Sequence, residues 1–198
     1  MKFDWKLKDI LMIAVCAVLF GFVFLGATYA GGILSGVLSP LGLSSLGYEP
    51  FYGIYFMAGA FGIYVMRKPG TGLIAEMLAA IIECLLGNYF GPVIILSGFV
   101  QGLGFELIFA LKKYRRFDLT TMLEASVICS VVTLGYNLVI SGYSTIAVPI
   151  LALMLAVRIV SAALIDGVLT KILADKLALA GVLKGYAIGE GLSQDLED

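Results

Sequence analysis

The sequence contains no histidine, which removes histidine-metal sites, histidine general bases and histidine-dependent acyl transfer together. It also lacks a glycine-rich phosphate loop ending in Lys-Ser/Thr, so the chain is expected to hydrolyse no nucleotide by itself. Charge is scarce: Asp, Glu, Lys and Arg make up 14% of the 198 residues, against 61% hydrophobic residues and a mean hydropathy of +1.03. That balance excludes a water-soluble globular domain and requires an integral membrane protein. A net charge of −1 offers no electrostatic footprint for a nucleic acid. Cys16, Cys84 and Cys129 lie singly in apolar runs and read as small apolar fillers rather than as a metal site. The only tryptophan, Trp5, precedes the first apolar run. That run, residues 10–30, is too long for the h-region of a cleaved signal peptide and is expected to remain as an anchor. No catalytic residue, metal ligand or cofactor is expected.

What the sequence has is length for membrane crossings. A bilayer core of about 30 Å needs roughly 20 helical residues, and six such stretches are separated by turn residues or charges, at 9–30, 50–66, 71–87, 92–111, 119–140 and 148–174. Pro50, Pro92 and Pro149 fall at or near helix starts, where a missing N–H costs little. Residues 31–49, rich in Gly, Ser and Leu, read as the one longer loop. The expected architecture is all-α: a single domain over residues 1–198, built as a compact bundle of six transmembrane helices.

Basic residues set the orientation. Lys2, Lys6 and Lys8 precede the first span, Arg67 and Lys68 follow the second, Lys112, Lys113, Arg115 and Arg116 follow the fourth, and Lys171, Lys176 and Lys184 close the sixth. The alternate connections carry no Lys or Arg, so both termini are expected in the cytoplasm. Arg158 remains, near mid-membrane.

The intramembrane polar residues sort by depth. Glu49, Glu83, Asn88 and Asn137 fall toward the outside, Gln101 and Arg158 near the middle, and Glu76, Glu106, Glu124 and Asp166 in the inner half. An ionised side chain facing lipid costs at least about 2.5 kcal/mol at a helix centre, so these groups must face the bundle interior. Glu76 and Glu83, seven residues apart, return to one helix face about 10 Å apart along the axis. The inner acids are expected to be structural, pairing with Arg158 and neighbouring polar groups, and Glu83 to be a ligand group. Tyr48, Phe51, Tyr52, Tyr55, Tyr89, Phe90, Tyr136 and Tyr143 gather at the outer level. Tyr89, Phe90 and Tyr143 fit an interfacial aromatic belt. Acids without balancing Lys or Arg among tyrosine faces suit an organic cation. Gly98-x-x-x-Gly102 and Ala17-x-x-x-Gly21 permit close helix approach, inside the bundle or against a partner.

Four blocks, "YEPFYG" (48–53), "RKPG" (67–70), "AAIIECLLGN" (79–88) and "GPVIILSGFVQGLGFE" (91–106), in this order and spacing, resemble the YkoE-type substrate-capture (S) components of energy-coupling-factor (ECF) transporters. The resemblance implies a non-enzymatic six-helix subunit of a bacterial cytoplasmic membrane. It would hold thiamine or its hydroxymethylpyrimidine precursor near the outer face and deliver it with a transmembrane coupling (T) subunit and ATPase subunits. It makes residues 31–49 a lid and Glu49, Glu83, Asn88 and Gln101 polar contacts, with Tyr48, Tyr52, Tyr55, Tyr136 and Asn137 completing the expected substrate site. Two departures stand out: the first span has no clean Ala-x-x-x-Ala docking motif, and Trp5, on the inner side, cannot stack on an outer ligand. The competing transport class is a small proton-coupled carrier of an organic cation, with Glu76, Glu83 and Glu106 as a relay.

Overall fold

The computed structural model describes residues 5–194, and among them every regular element is helical. The chain runs through α1 (Leu7–Leu38), a 3-10 turn (Ser39–Leu41), a 3-10 segment (Ser44–Phe51), α2 (Tyr52–Tyr55) and α3 (Met57–Met66). It continues through α4 (Thr71–Leu85), α5 (Val93–Leu111), α6 (Leu119–Ile140), a 3-10 turn (Tyr143–Thr145) and α7 (Val148–Ser161). A π-helical stretch (Ala162–Leu169) then leads into α8 (Thr170–Leu179), and α9 (Ala187–Gln194) follows. Four helical runs, Leu7–Leu41, Val93–Leu111, Leu119–Ile140 and Val148–Leu179, are long and apolar enough to cross a membrane.

The remaining two expected spans are helical but shorter. Residues 50–66 do not form one straight helix, because the chain is interrupted at Phe56 between α2 and α3. There the backbone is drawn to α7: Gly53 N–H donates to Ser161 Oγ at 3.0 Å, and Ser161 Oγ donates to the Pro50 carbonyl at 2.6 Å. All ten residues of α3 are buried, so it is the central helix of the bundle. α4 lies beside it, flanked by α1 and α5, and small residues set the spacing. A Cβ on Gly21 would meet Ile82 at 2.6 Å, and one on Gly98 would meet the Ala80 Cβ at 2.6 Å. Both small-residue motifs are therefore used in internal packing against α4.

Residues 31–49 are not an open loop. α1 continues to Leu38, and its 32 residues span about 48 Å at 1.5 Å per residue. The glycines there serve close packing: a Cβ on Gly47 would lie 2.3 Å from the Ser35 backbone nitrogen, and one on Gly31 would lie 2.6 Å from the Tyr48 ring. The 3-10 segment folds back onto the end of α1, so a composition that suggests a loop marks a backbone contact instead.

Apart from Arg158, the described basic residues collect at one end of the bundle. Lys68 Nζ pairs with Asp9 at 2.6 Å, Lys112 with Glu124 at 2.5 Å and Lys171 with Asp175 at 2.5 Å, while the Arg67 guanidinium lies over the Phe117 ring. Asp118 caps α6 by accepting from the Thr121 amide at 2.8 Å, which holds its carboxyl below the usual carboxylate range and contributes about 1 kcal/mol to the helix. Glu124 thus belongs to this half-exposed basic end rather than to a buried layer.

Candidate functional site

At the other end lies a cavity of about 470 Å³, walled by the C-terminal half of α1, the 3-10 segment, α2, α4, α5 and the end of α6. The volume suits a vitamin-sized organic molecule. Tyr48, Tyr52, Tyr55, Glu83, Asn88, Gln101, Tyr136 and Asn137 all line it, which places every expected site residue except Glu49 on one surface.

Glu83 projects from the buried face of α4 and is 4% exposed. Its Oε1 accepts from Thr28 Oγ1 at 2.7 Å and from Asn88 Nδ2 in a short contact. Thr28 also contacts the Tyr55 hydroxyl at 3.0 Å. Asn88 is fixed in turn because its Oδ1 accepts the Phe90 amide at 2.7 Å. The second carboxylate oxygen, Oε2, has no partner among the described residues, and no Lys or Arg there forms an ion pair with Glu83. The carboxylate is therefore half committed to the protein and half presented to the cavity.

The aromatic wall has two groups of touching rings. Phe24 meets Tyr55 edge-on at 5.9 Å, Tyr55 meets Tyr52 at 5.7 Å, and Tyr48 meets Phe90 at 5.4 Å. Phe90 and Tyr143, expected in an interfacial belt, line the cavity. Tyr89 does not; it is half exposed and donates to the Thr28 carbonyl at 2.9 Å.

Glu49 departs from the expectation of an unbalanced acid. It is fully buried behind the wall, where Arg158 Nε donates to Oε2 at 2.6 Å and Nη2 to Oε1 at 2.8 Å. Arg158 Nη1 donates to Thr133 Oγ1 at 3.1 Å, and the guanidinium lies 3.5 Å from the centroid of the Tyr52 ring. The inner acids do not reach Arg158. Glu76 Oε2 accepts from Gly59 N–H at 2.6 Å, Glu106 accepts from Gly72 N–H at 3.0 Å and from the Tyr114 hydroxyl, and Asp166 Oδ2 contacts Ser126 Oγ at 2.7 Å. These acids pin helices to one another, as backbone donors buried in a membrane protein require.

Thr28, Phe24 and Ser97 line the cavity without having stood out in the sequence. Thr28 is an uncharged hydroxyl in a long apolar run, and its only signal is proximity to the Gly31-Gly32 pair. Among the described residues no group of three or more His, Cys, Asp or Glu could hold a metal ion.

An all-helical membrane bundle with a partly open, aromatic, singly acidic cavity at the end opposite its clustered lysines and arginines has the form of a substrate-binding S component of an ECF transporter. A solved structure described as the crystal structure of an S-component of an ECF transporter superposes with a TM-score of 0.92 at 39% identity, covering 98% of this chain and 96% of that one. The putative HMP/thiamine permease protein YkoE of Bacillus subtilis (strain 168) is 40% identical over 191 residues, 96% of this chain and 94% of that protein. The family model for the permease component of an ABC-type cobalt transport system matches residues 8–132. The chain belongs to the YkoE-type family of ECF transporter S components, multi-pass membrane proteins that bind a small-molecule substrate, work with T and ATPase modules and are not enzymes.

Proposed function

We propose that this S component captures thiamine or its hydroxymethylpyrimidine precursor at the outer face of a bacterial cytoplasmic membrane. ATP-driven uptake then requires a T subunit and ATPase subunits. The observation that carries the reading is Glu83: a cavity-facing carboxylate with one free oxygen, no protein cation to balance it and an aromatic wall around it. A buried charge without a counter-ion is costly, and a ligand offering a thiazolium or an amine supplies what is missing. Asn88, Gln101, Asn137, Tyr48, Tyr52, Tyr55 and Tyr136 are the accompanying contacts. The cobalt named for the matched family model finds no comparable support, since a metal ion needs several convergent ligands and the cavity offers one acid. The YkoE relative, a putative HMP/thiamine permease, agrees with the organic ligand.

The purified chain should bind thiamine in calorimetric titration without moving it across a liposome membrane. Proton-driven counterflow by the chain alone would rule instead for the carrier, with Glu76, Glu83 and Glu106 as its relay.

The chain in this reading is one domain over residues 1–198 with six crossings and both termini in the cytoplasm. The clustering of basic residues at the end opposite the cavity supports it. A cysteine at Ser44, on the cavity wall, should react with an impermeant maleimide in intact cells, whereas one at Tyr114 should not. Labelling at Tyr114 alone would invert the orientation.

A further inference from the structure

Below Glu83 the cavity ends on Gln101, a residue only 7% exposed. Two acceptors face one end of its amide, the Glu76 carboxylate and the Tyr55 carbonyl, and the latter can only accept. That end is therefore the NH2: Nε2 donates to Glu76 Oε1 at 2.9 Å and to the Tyr55 carbonyl at 3.1 Å, while Oε1 accepts from Ser97 Oγ at 3.0 Å. Glu76 is itself held in place, because it is fully buried and its Oε2 accepts from the Gly59 amide at 2.6 Å. Both Nε2 hydrogens are thus consumed behind the wall. Only the carbonyl side of Gln101, beside the cavity-lining Ser97, is left for a ligand.

The geometry points to Glu76 as a specificity-determining positioning residue: without touching the ligand, it orients Gln101 so that the cavity floor accepts hydrogen bonds and selects ligands that donate one there. This goes deeper into the proposed function and rests on it. Thiamine offers two neutral donors, the amine of its pyrimidine and the hydroxyl of its side chain. A carbonyl or an ether oxygen at the corresponding place would face the Gln101 oxygen without a proton between them. The arrangement also separates the two acids of α4: Glu83 supplies charge, and Glu76 supplies orientation.

In a Glu76→Gln protein the side-chain oxygen at position 76 must still accept the Gly59 amide, so its NH2 turns toward Gln101. Gln101 then keeps its NH2 against that new donor, or turns over so that its oxygen accepts from that donor but stands against the Tyr55 carbonyl and its NH2 faces the cavity. The first arrangement loses a hydrogen bond and the second presents a donor, so the two compete and the preference for an acceptor floor is weakened.

Three probes read this out by calorimetry: thiamine, oxythiamine with a carbonyl in place of the amine, and a deoxy analogue lacking the hydroxyl. The wild-type protein should prefer thiamine over at least one analogue by about tenfold or more, the value of one good hydrogen bond to a buried group. In Glu76→Gln that ratio should fall about tenfold while the other ratio holds. Glu83 remains in place, so a merely destabilised protein would weaken all three probes together. Unchanged ratios in a folded Glu76→Gln protein would overturn the assignment. A protein that binds thiamine poorly in its wild-type form would instead overturn the ligand itself.

A second measurement needs no variant of Glu76. The chain has two glutamines, Gln101 and Gln194, so selective 15N labelling gives two side-chain amides, assigned by their loss in Gln101→Met. The Gln101 NH2 should exchange slowly with solvent before any ligand is added and shift little on binding. Rapid exchange that becomes slow only with thiamine bound would place the NH2 toward the cavity and refute the proposal.

Discussion

Glu83→Gln is expected to weaken thiamine binding about ten- to a hundredfold, the equivalent of roughly 1.5–3 kcal/mol for a hydrogen bond to a charged group. The substitution does more than remove a charge. Thr28 Oγ1 and Asn88 Nδ2 both donate to Oε1, so the amide oxygen of the variant will take that place and its NH2 will turn into the cavity. A ligand that brings a cation and an amine then meets a donor where it needs an acceptor. The protein should fold normally, since the bonds to Thr28 and Asn88 survive. Titration calorimetry on the two proteins checks the loss, and thermal melting checks the fold. A loss well short of tenfold in a folded Glu83→Gln protein would return Glu83 to a helix-packing role.

How much of this could be read from the sequence follows from the range of the interactions involved. Hydropathy locates long helices well: 119–140 agrees with α6 at both ends, and 92–111 with α5 to within one residue. Depth along a helix is nearly as legible, because rise per residue is constant: it puts Glu83 and Asn88 toward the outside and Gln101 near the middle, and all three line the cavity. Partners across the bundle were not legible. Glu49 and Arg158 are 109 residues apart, and nothing in either apolar surrounding names the other. Glycine was misleading for a related reason. Between residues 31 and 47 it permits a helix and a returning 3-10 segment to touch, a use that composition cannot distinguish from a loop. Thr28 was silent because a lone hydroxyl in an apolar run costs little and therefore signals little.

The same long-range pair gives the largest expected effect on stability. Arg158→Leu leaves the Glu49 carboxylate buried without a counter-ion, and removing one partner of a buried ion pair costs about 3–5 kcal/mol. The neighbours add to the loss: Thr133 Oγ1 loses a donor, and the Tyr52 ring loses the guanidinium stacked on it at 3.5 Å. The 3-10 segment that carries Ser44, Ser45 and Tyr48 to the cavity is held to α7 through this pair, so its detachment should also open the site. Unfolding can be followed with a thiol-reactive dye, since Cys16 and Cys129 are free and buried, and the variant should react at a clearly lower temperature than wild type. The double substitution Glu49→Leu with Arg158→Leu separates charge burial from ligand contact. Replacing a whole buried pair by apolar residues is often neutral or stabilising, so the double variant should recover most of the melting temperature. Because Glu49 lies behind the wall rather than on it, thiamine binding should return with the fold. Recovery of stability without recovery of binding would put Glu49 in the ligand's reach and make Arg158 its keeper between substrates.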